Sequence, residues 1–90
     1  MKQEVVTKDD YILYLENLDG NVFIHCDCFK WNKTIKKQLR EDVDRVVAFL
    51  EKPILAVHNP KDKKHFKFLT MMGFTYFGNI ESNELFIRRQ

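Results

Sequence analysis

The sequence is poor in cysteine and has no long apolar run, and each shortage argues against a class of protein. Only two of the 90 residues are cysteines, and both, Cys26 and Cys28, lie in one short segment. On a strand they would point to the same face two residues apart, where a disulfide would be strained, so we expect free thiols in a reducing compartment. No apolar stretch approaches the roughly 20 residues that span a membrane. The first ten residues also lack the apolar segment of a signal peptide, so we expect a cytoplasmic location.

Linkers and repeats are missing as well. The sequence has no serine- and glycine-rich tract, no low-complexity segment and no internal repeat. Its 44% hydrophobic and 31% charged residues are typical of a globular protein. We therefore expect residues 1–90 to form one domain with a small core.

The sequence has little net charge, but its acidic and basic residues are unevenly distributed. The net charge is only +2, which makes nucleic acid an improbable partner. Residues 1–29 carry two lysines against six acidic residues, a net charge of −4. Residues 30–67 carry eleven basic residues against five acidic ones, a net charge of +6. A basic middle segment could hold an anion, although a solvated surface is the commoner meaning of such a charge cluster.

The first predicted unit is a hairpin. Residues 11–16 and 22–29 are rich in aromatic and β-branched side chains, and Asp19-Gly20 between them is a strong turn signal. A long amphipathic helix follows, capped by Asn32 or Thr34 and ended near Lys52 by Pro53. Its apolar stripe contains Ile35, Leu39, Val43, Val46, Val47 and Leu50.

The second half continues with a short apolar run, a helix and two strands. Residues 54–57 suit a central strand that is buried on both faces and parallel to the strand before the helix. Residues 63–72 suit a helix with Phe66, Leu69 and Met72 inside, ended by Gly73. Strands are expected at residues 74–78 and 85–89. The order strand, strand, helix, strand, helix, strand, strand predicts an α/β (α+β) fold with a mixed sheet.

This order, the segment KHFKFLTMMGF at residues 64–74 and the terminal hairpin resemble the C-terminal two-thirds of the GNAT (Gcn5-related N-acetyltransferase) fold. The matching residues are Asn59, then Phe68-Leu69, then Gly73-Phe74. The chain is most similar to the small GNAT-like proteins of short-tailed phages, including GNAT-like internal virion proteins. The resemblance implies a truncated acetyltransferase-like domain and supports fold more than function.

The resemblance also implies a place for acetyl-CoA, between the splayed strands that flank the long helix. Lys33, Thr34, Lys36, Lys37 and Asn59 are the candidate cofactor-binding residues. The family's loop for the pyrophosphate contains two glycines, but residues 31–36 here, WNKTIK, contain none, and their side chains would obstruct close backbone approach. Leu69 also replaces the tyrosine with which many members protonate the leaving thiolate. The resemblance therefore implies a degenerate acetyltransferase with no retained cofactor.

His25 and Asp27 are the candidates for a general base if the chain is active, because the family uses residues on this strand. A metal site is not expected, because strand alternation places His25 and Asp27 opposite to Cys26 and Cys28. The cysteines are expected to fill core space instead.

Aromatic residues are more numerous than a small core can hide. Trp31, Tyr76 and Phe77 are therefore candidates for an interface with a protein partner or a second copy of the chain. The leading function is a non-catalytic, GNAT-like interaction protein that binds a host or virion protein. A minimal acetyltransferase that uses acetyl-CoA and a nucleic-acid-binding module with basic helix ends remain as alternatives.

Overall fold

The predicted hairpin forms around Asp19 and Gly20. The computed structural model, which describes residues 2–89, gives these two residues φ values of 53° and 83°. Positive φ at both central positions is the geometry of a two-residue hairpin turn, and glycine adopts it without strain. The turn joins β2 (Tyr11–Leu18) to β3 (Asn21–Cys28) in an antiparallel pair.

An additional strand precedes this hairpin and corrects the predicted element order. β1 (Lys2–Thr7) pairs antiparallel with β2, with a register shift between Glu4 and Val6. The chain thus has three strands before its first helix rather than two. Most of β1 is exposed, because it forms one edge of the sheet.

The long helix, α1 (Lys33–Leu50), forms as predicted. The side chain of Asn32 caps it by accepting a hydrogen bond of 2.8 Å from the Ile35 amide, an interaction worth about 1 kcal/mol. Glu51, with a φ of 54°, ends the helix two residues before Pro53. Its inner stripe enters the core at Ile35, Leu39, Val43 and Val47, while Val46 and Leu50 are partly buried.

The remaining elements are β4 (Ile54–His58), α2 (Lys63–Met71), β5 (Thr75–Ile80) and β6 (Asn83–Arg88). Gly73 follows α2 with a φ of 85°, and the amides of Gly73 and Phe74 donate to the carbonyls of Thr70 and Leu69. This pattern is a Schellman motif, in which glycine carries the left-handed residue. Phe66 differs from prediction: it lies outside the core, with its ring near those of His58 and Phe86.

The sheet is mixed and has the order β1-β2-β3-β4-β6-β5. β4 is parallel to β3, as predicted, and antiparallel to β6. One face of the sheet forms a single core with both helices. By strand register, this face carries the buried residues Leu13, Ile54, Ala56 and Phe86 of β2, β4 and β6.

The opposite side of the sheet, here called the open face, is covered by neither helix. It carries the residues that alternate with the core positions: Ile12, Tyr14, Glu16, Phe23, His25, Asp27, Leu55, Val57, Phe77, Leu85 and Ile87. Leu55 and Ile87 are buried among their neighbours, whereas Val57 is 42% exposed. The expectation that β4 is buried on both faces is therefore wrong at Val57, because only one layer of helices packs on the sheet.

Candidate functional site

A large cleft lies where β3 and β4 separate. The two parallel strands are paired only at Val22 with Ile54 and at Phe23 with Leu55. Beyond these pairs they diverge, and a cleft of roughly 1330 Å³ extends between them toward the first turns of the two helices. Ile24, Cys26 and Ala56 contribute an apolar floor. The cleft is large enough for a drug-sized or nucleotide-sized ligand.

Lysines surround the cleft where α1 and α2 begin. Lys30, Lys33 and Lys36 line it from the start of α1, and Lys64 and Lys67 line it from α2. The α2 start is fixed by Asp62, whose carboxylate accepts a hydrogen bond of 3.0 Å from the His65 amide. Two helix N-termini and five lysines make this rim attractive to an anion.

An aromatic wall stands beside the lysines. The ring of Trp31 meets Phe68 edge to face with 6.1 Å between centroids. The imidazole of His65 lies parallel to the Phe68 ring at 6.3 Å. The cleft thus has a flat apolar surface next to its cationic rim.

A histidine pair lies next to this wall. His58 ends β4 and is only 1% exposed, and its Nδ1 lies 2.9 Å from the Nδ1 of His65. One of the two nitrogens must donate and the other accept, so both rings cannot carry a proton on Nδ1 without repulsion. Burial lowers the pKa of His65 and the neighbouring His58 lowers it further, while Asp62 acts in the opposite direction. The contact therefore requires one proton between the two Nδ1 atoms, and the lowered pKa of His65 favours the neutral form of its ring.

The predicted cofactor-binding residues divide into two groups. Lys33 and Lys36 line the cleft, as the prediction requires. Thr34 and Lys37 are not among the residues that line the cleft. Asn59 lies in the turn after β4, where its side-chain oxygen accepts a hydrogen bond from the Lys61 amide.

His25 and Asp27, the candidate general bases, lie on the open-face side of the cleft and each is already paired. His25 Nε2 lies 3.0 Å from a carboxylate oxygen of Glu16. The Tyr14 hydroxyl donates to Asp27 at 2.9 Å, and this bond raises the pKa of Tyr14. These diagonal pairs link β2 to β3 and engage one polar atom of each candidate base.

The two cysteines are free, but only one fills core space. Cys26 packs against the core, and burial, together with Cys28 and Asp27, raises its pKa to about 12. Cys28 is exposed, so its predicted burial is wrong, because β3 ends there at the mouth of the cleft. The Cys26 thiol therefore stays protonated at neutral pH, and a protonated thiol is a poor nucleophile and metal ligand. Among residues 2–89 no three histidine, cysteine, aspartate or glutamate side chains are placed to share a metal ion.

The predicted interface residues are exposed but do not form one surface. Trp31 belongs to the cleft wall. Tyr76 and Phe77, 55% and 51% exposed, lie on opposite sides of β5, with Tyr76 against Phe86 and Phe77 beneath the Arg89 guanidinium. Sequence reasoning missed the His58–His65 contact, for which the only signal was one histidine on each side of the break at Asn59-Pro60.

No family model, curated protein or solved structure matches the chain. Within the part of the chain that the structure describes, neither helix combines the length and apolar character needed to cross a bilayer.

Proposed function

We propose that this chain is a non-catalytic, GNAT-like interaction protein that binds a protein partner through its open face. The observation that carries the proposal is a set of apolar side chains on that face, where Val57 and Phe77 are 42% and 51% exposed and Val57 is paired with Leu85 on the next strand. Apolar side chains that adjoin across several strands mark a surface that another layer of structure covers favourably.

The open face also has a rim suited to a protein partner. Its β2–β3 half carries the paired side chains of Tyr14 with Asp27 and of Glu16 with His25. A hydrophobic centre with a polar margin is the usual anatomy of a protein interface. A partner that supplies an amphipathic helix would complete the missing layer, with its apolar side on Val57 and its basic residues toward Glu16 and Asp27.

The GNAT-like part of the proposal is supported by the separation of β3 from β4 and by the closing hairpin β5–β6. The non-catalytic part is supported by Leu69, which is buried in the core and offers no proton. The pairing of His25 with Glu16 and of Asp27 with Tyr14 is further support, because it occupies both candidate bases. By the resemblance to phage proteins, the partner would be a host or virion protein.

A second candidate, a minimal acetyltransferase, is favoured by one specific observation. The cleft lies between two helix N-termini and is lined by Lys33 and Lys36, where a pyrophosphate would be attracted. Its weakness is the segment of residues 31–36, which leads into the first turn of α1 and has no glycine to leave the backbone open to a pyrophosphate.

Site-specific photo-crosslinking distinguishes the two candidates. A benzophenone amino acid is introduced at Val57 on the open face, and separately at Phe49, which is 86% exposed on the outer side of α1. Both proteins are made in the cells that naturally produce the chain. We expect one discrete heterologous adduct, identified by mass spectrometry, from the Val57 position and none from Phe49.

Two outcomes would count against the interaction proposal. One is an identical adduct pattern from the Val57 and Phe49 positions, which would mean nonspecific contact. The other is acetyl transfer by the purified protein that Lys33→Glu abolishes and Lys52→Glu leaves intact, since Lys52 follows α1 at its far end. The second result would establish the acetyltransferase.

A further inference from the structure

The sheet has two edges, and they differ in how they are protected. By strand order, β1 and β5 each have one side without a neighbouring strand among residues 2–89. β1 carries Lys2 and Glu4 and shifts register before Val6. Charged side chains and bulges on an edge strand are the devices that prevent pairing with another chain. The β1 edge is therefore blocked.

The β5 edge lacks most of this protection. Its six residues, TYFGNI, include no charge and no proline. Like β1, β5 has a register shift, which lies between Tyr76 and Gly78. The side chains of Tyr76, Phe77 and Ile80 are nevertheless 55%, 51% and 44% exposed. An uncharged, apolar edge strand presents free backbone donors and acceptors together with side chains that gain from burial.

We propose that two copies of the chain associate through their β5 strands, antiparallel about a twofold axis, to form one continuous twelve-stranded sheet. Such an interface is isologous: both copies contribute the same strand, and each contact between two different residues therefore occurs twice. No like charges meet along β5, because the strand has none. Phe77 and Ile80 of one copy would adjoin those of the other on the open face, and Tyr76 would do so on the helix-covered face.

Charges at the two ends of β5 select a second copy as the partner. Glu81 is exposed in the turn just after the strand, and exposed Arg89 lies over Phe77 near the strand's beginning, 5.5 Å from the ring. Antiparallel pairing brings the end of one β5 beside the beginning of the other. Glu81 of each copy is then placed near Arg89 of its partner, and this self-complementarity occurs twice in the dimer.

The test is the mass in solution, measured by sedimentation velocity across a concentration series. We expect wild type to approach twice the 10.8 kDa chain mass. Ile80→Lys should weaken dimerisation at least about tenfold, because it replaces an apolar side chain of the shared edge with a charge, which discourages pairing between edge strands. Phe49→Lys makes a comparable change on the outer side of α1 and should leave the dimer intact.

A charge reversal tests the ends of the strand separately. Glu81→Arg and Arg89→Glu should each weaken the dimer, and the double variant should restore it, because the opposite signs meet again. Both positions are exposed, so these variants remain informative even if Ile80→Lys perturbs folding, which circular dichroism checks. A wild-type monomer at all concentrations would overturn the proposal. A dimer that survives Ile80→Lys and both single reversals would also overturn it. The proposal uses the sheet edge and does not depend on the function of the open face.

Discussion

At the scale of single residues, the most consequential polar group is Asp42. It is a buried carboxylate on the inner side of α1 that accepts hydrogen bonds from the Tyr11 hydroxyl and, at 2.8 Å, from Lys8 Nζ. Arg45 contacts its second oxygen at 2.9 Å. Burial alone would raise the pKa of Asp42, but the hydrogen bonds from Lys8 and Tyr11 outweigh burial and lower it. The network ties α1 to β2 at the edge of the core.

Replacing Asp42 should therefore cost stability in a pH-dependent way. Asp42→Ala leaves the buried Tyr11 hydroxyl without its acceptor, and we expect a loss of about 1–3 kcal/mol in urea denaturation at neutral pH. A lowered pKa means that the charged form stabilises the fold above the ordinary value of 3.8, and that this contribution is lost as the pH falls through the lowered value. The stability gap between wild type and Asp42→Ala should narrow in acid.

Tyr11→Phe supplies the matched control. In a double-mutant cycle, Asp42→Ala combined with Tyr11→Phe should cost less than the sum of the two single changes, because the buried Tyr11 hydroxyl that would lack its acceptor is removed as well. Strict additivity would show that the two groups do not interact energetically and would contradict the network.

At the scale of elements, α2 contains a titratable contact. His65, in its first turn, joins β4 through His58 and joins the cleft wall through Phe68. The pKa of His65 is lowered from 6.5, so the folded protein holds the neutral ring more strongly than the unfolded chain does. The unfolded state then binds more protons below pH 6.5, and stability should fall as the pH drops from 6.5 through the lowered pKa.

Two measurements check this expectation. An NMR titration should give the His65 ring a midpoint below 6.5, and the emission of Trp31, the sole tryptophan, should change over the same range through Phe68. His65→Gln keeps a hydrogen-bonding partner for His58 but does not titrate, so its loss of stability below pH 6.5 should be smaller. A His65 midpoint at or above 6.5 would remove the physical basis of the prediction.

At the scale of the whole molecule, local signals predicted most elements but not how the layers combine. The hairpin, α1, β4 and α2 follow from turn residues, caps and apolar stripes near them in sequence. β1 does not, because KQEVVT is largely exposed and becomes a strand by pairing with β2. Aspartate is usually a surface residue, and the burial of Asp42 depends on its hydrogen bonds with Lys8 and Tyr11, which are more than 30 residues away in sequence.

The candidate site shows the same division. Lysines near two helix starts could be predicted, because caps and charges are local. Which lysines line the cleft depends on where the first turn of α1 lies relative to the sheet, and Lys33 and Lys36 line it whereas Lys37 does not. The exposed face of β4 could not be foreseen either, since an apolar run such as Ile54–Val57 has the same pattern whether one or two helix layers cover the sheet.

The junction between the two half-sheets, β1-β2-β3 and β4-β6-β5, has fewer paired residues than any other strand junction of the described sheet. Only two residue pairs join β3 to β4, and the shared helix layer must hold the halves together. Ile54 occupies one of these pairs and is fully buried against the helices. Ile54→Ala should cost about 2–5 kcal/mol, the usual range for such a truncation. Val57→Ala, on the same strand but on the open face, should cost under about 1 kcal/mol in comparison.

Because one core serves both halves, the urea transitions of Ile54→Ala followed by Trp31 fluorescence and by circular dichroism should coincide. Separate transitions would mean that the half-sheets unfold independently and that the helix layer does not couple them.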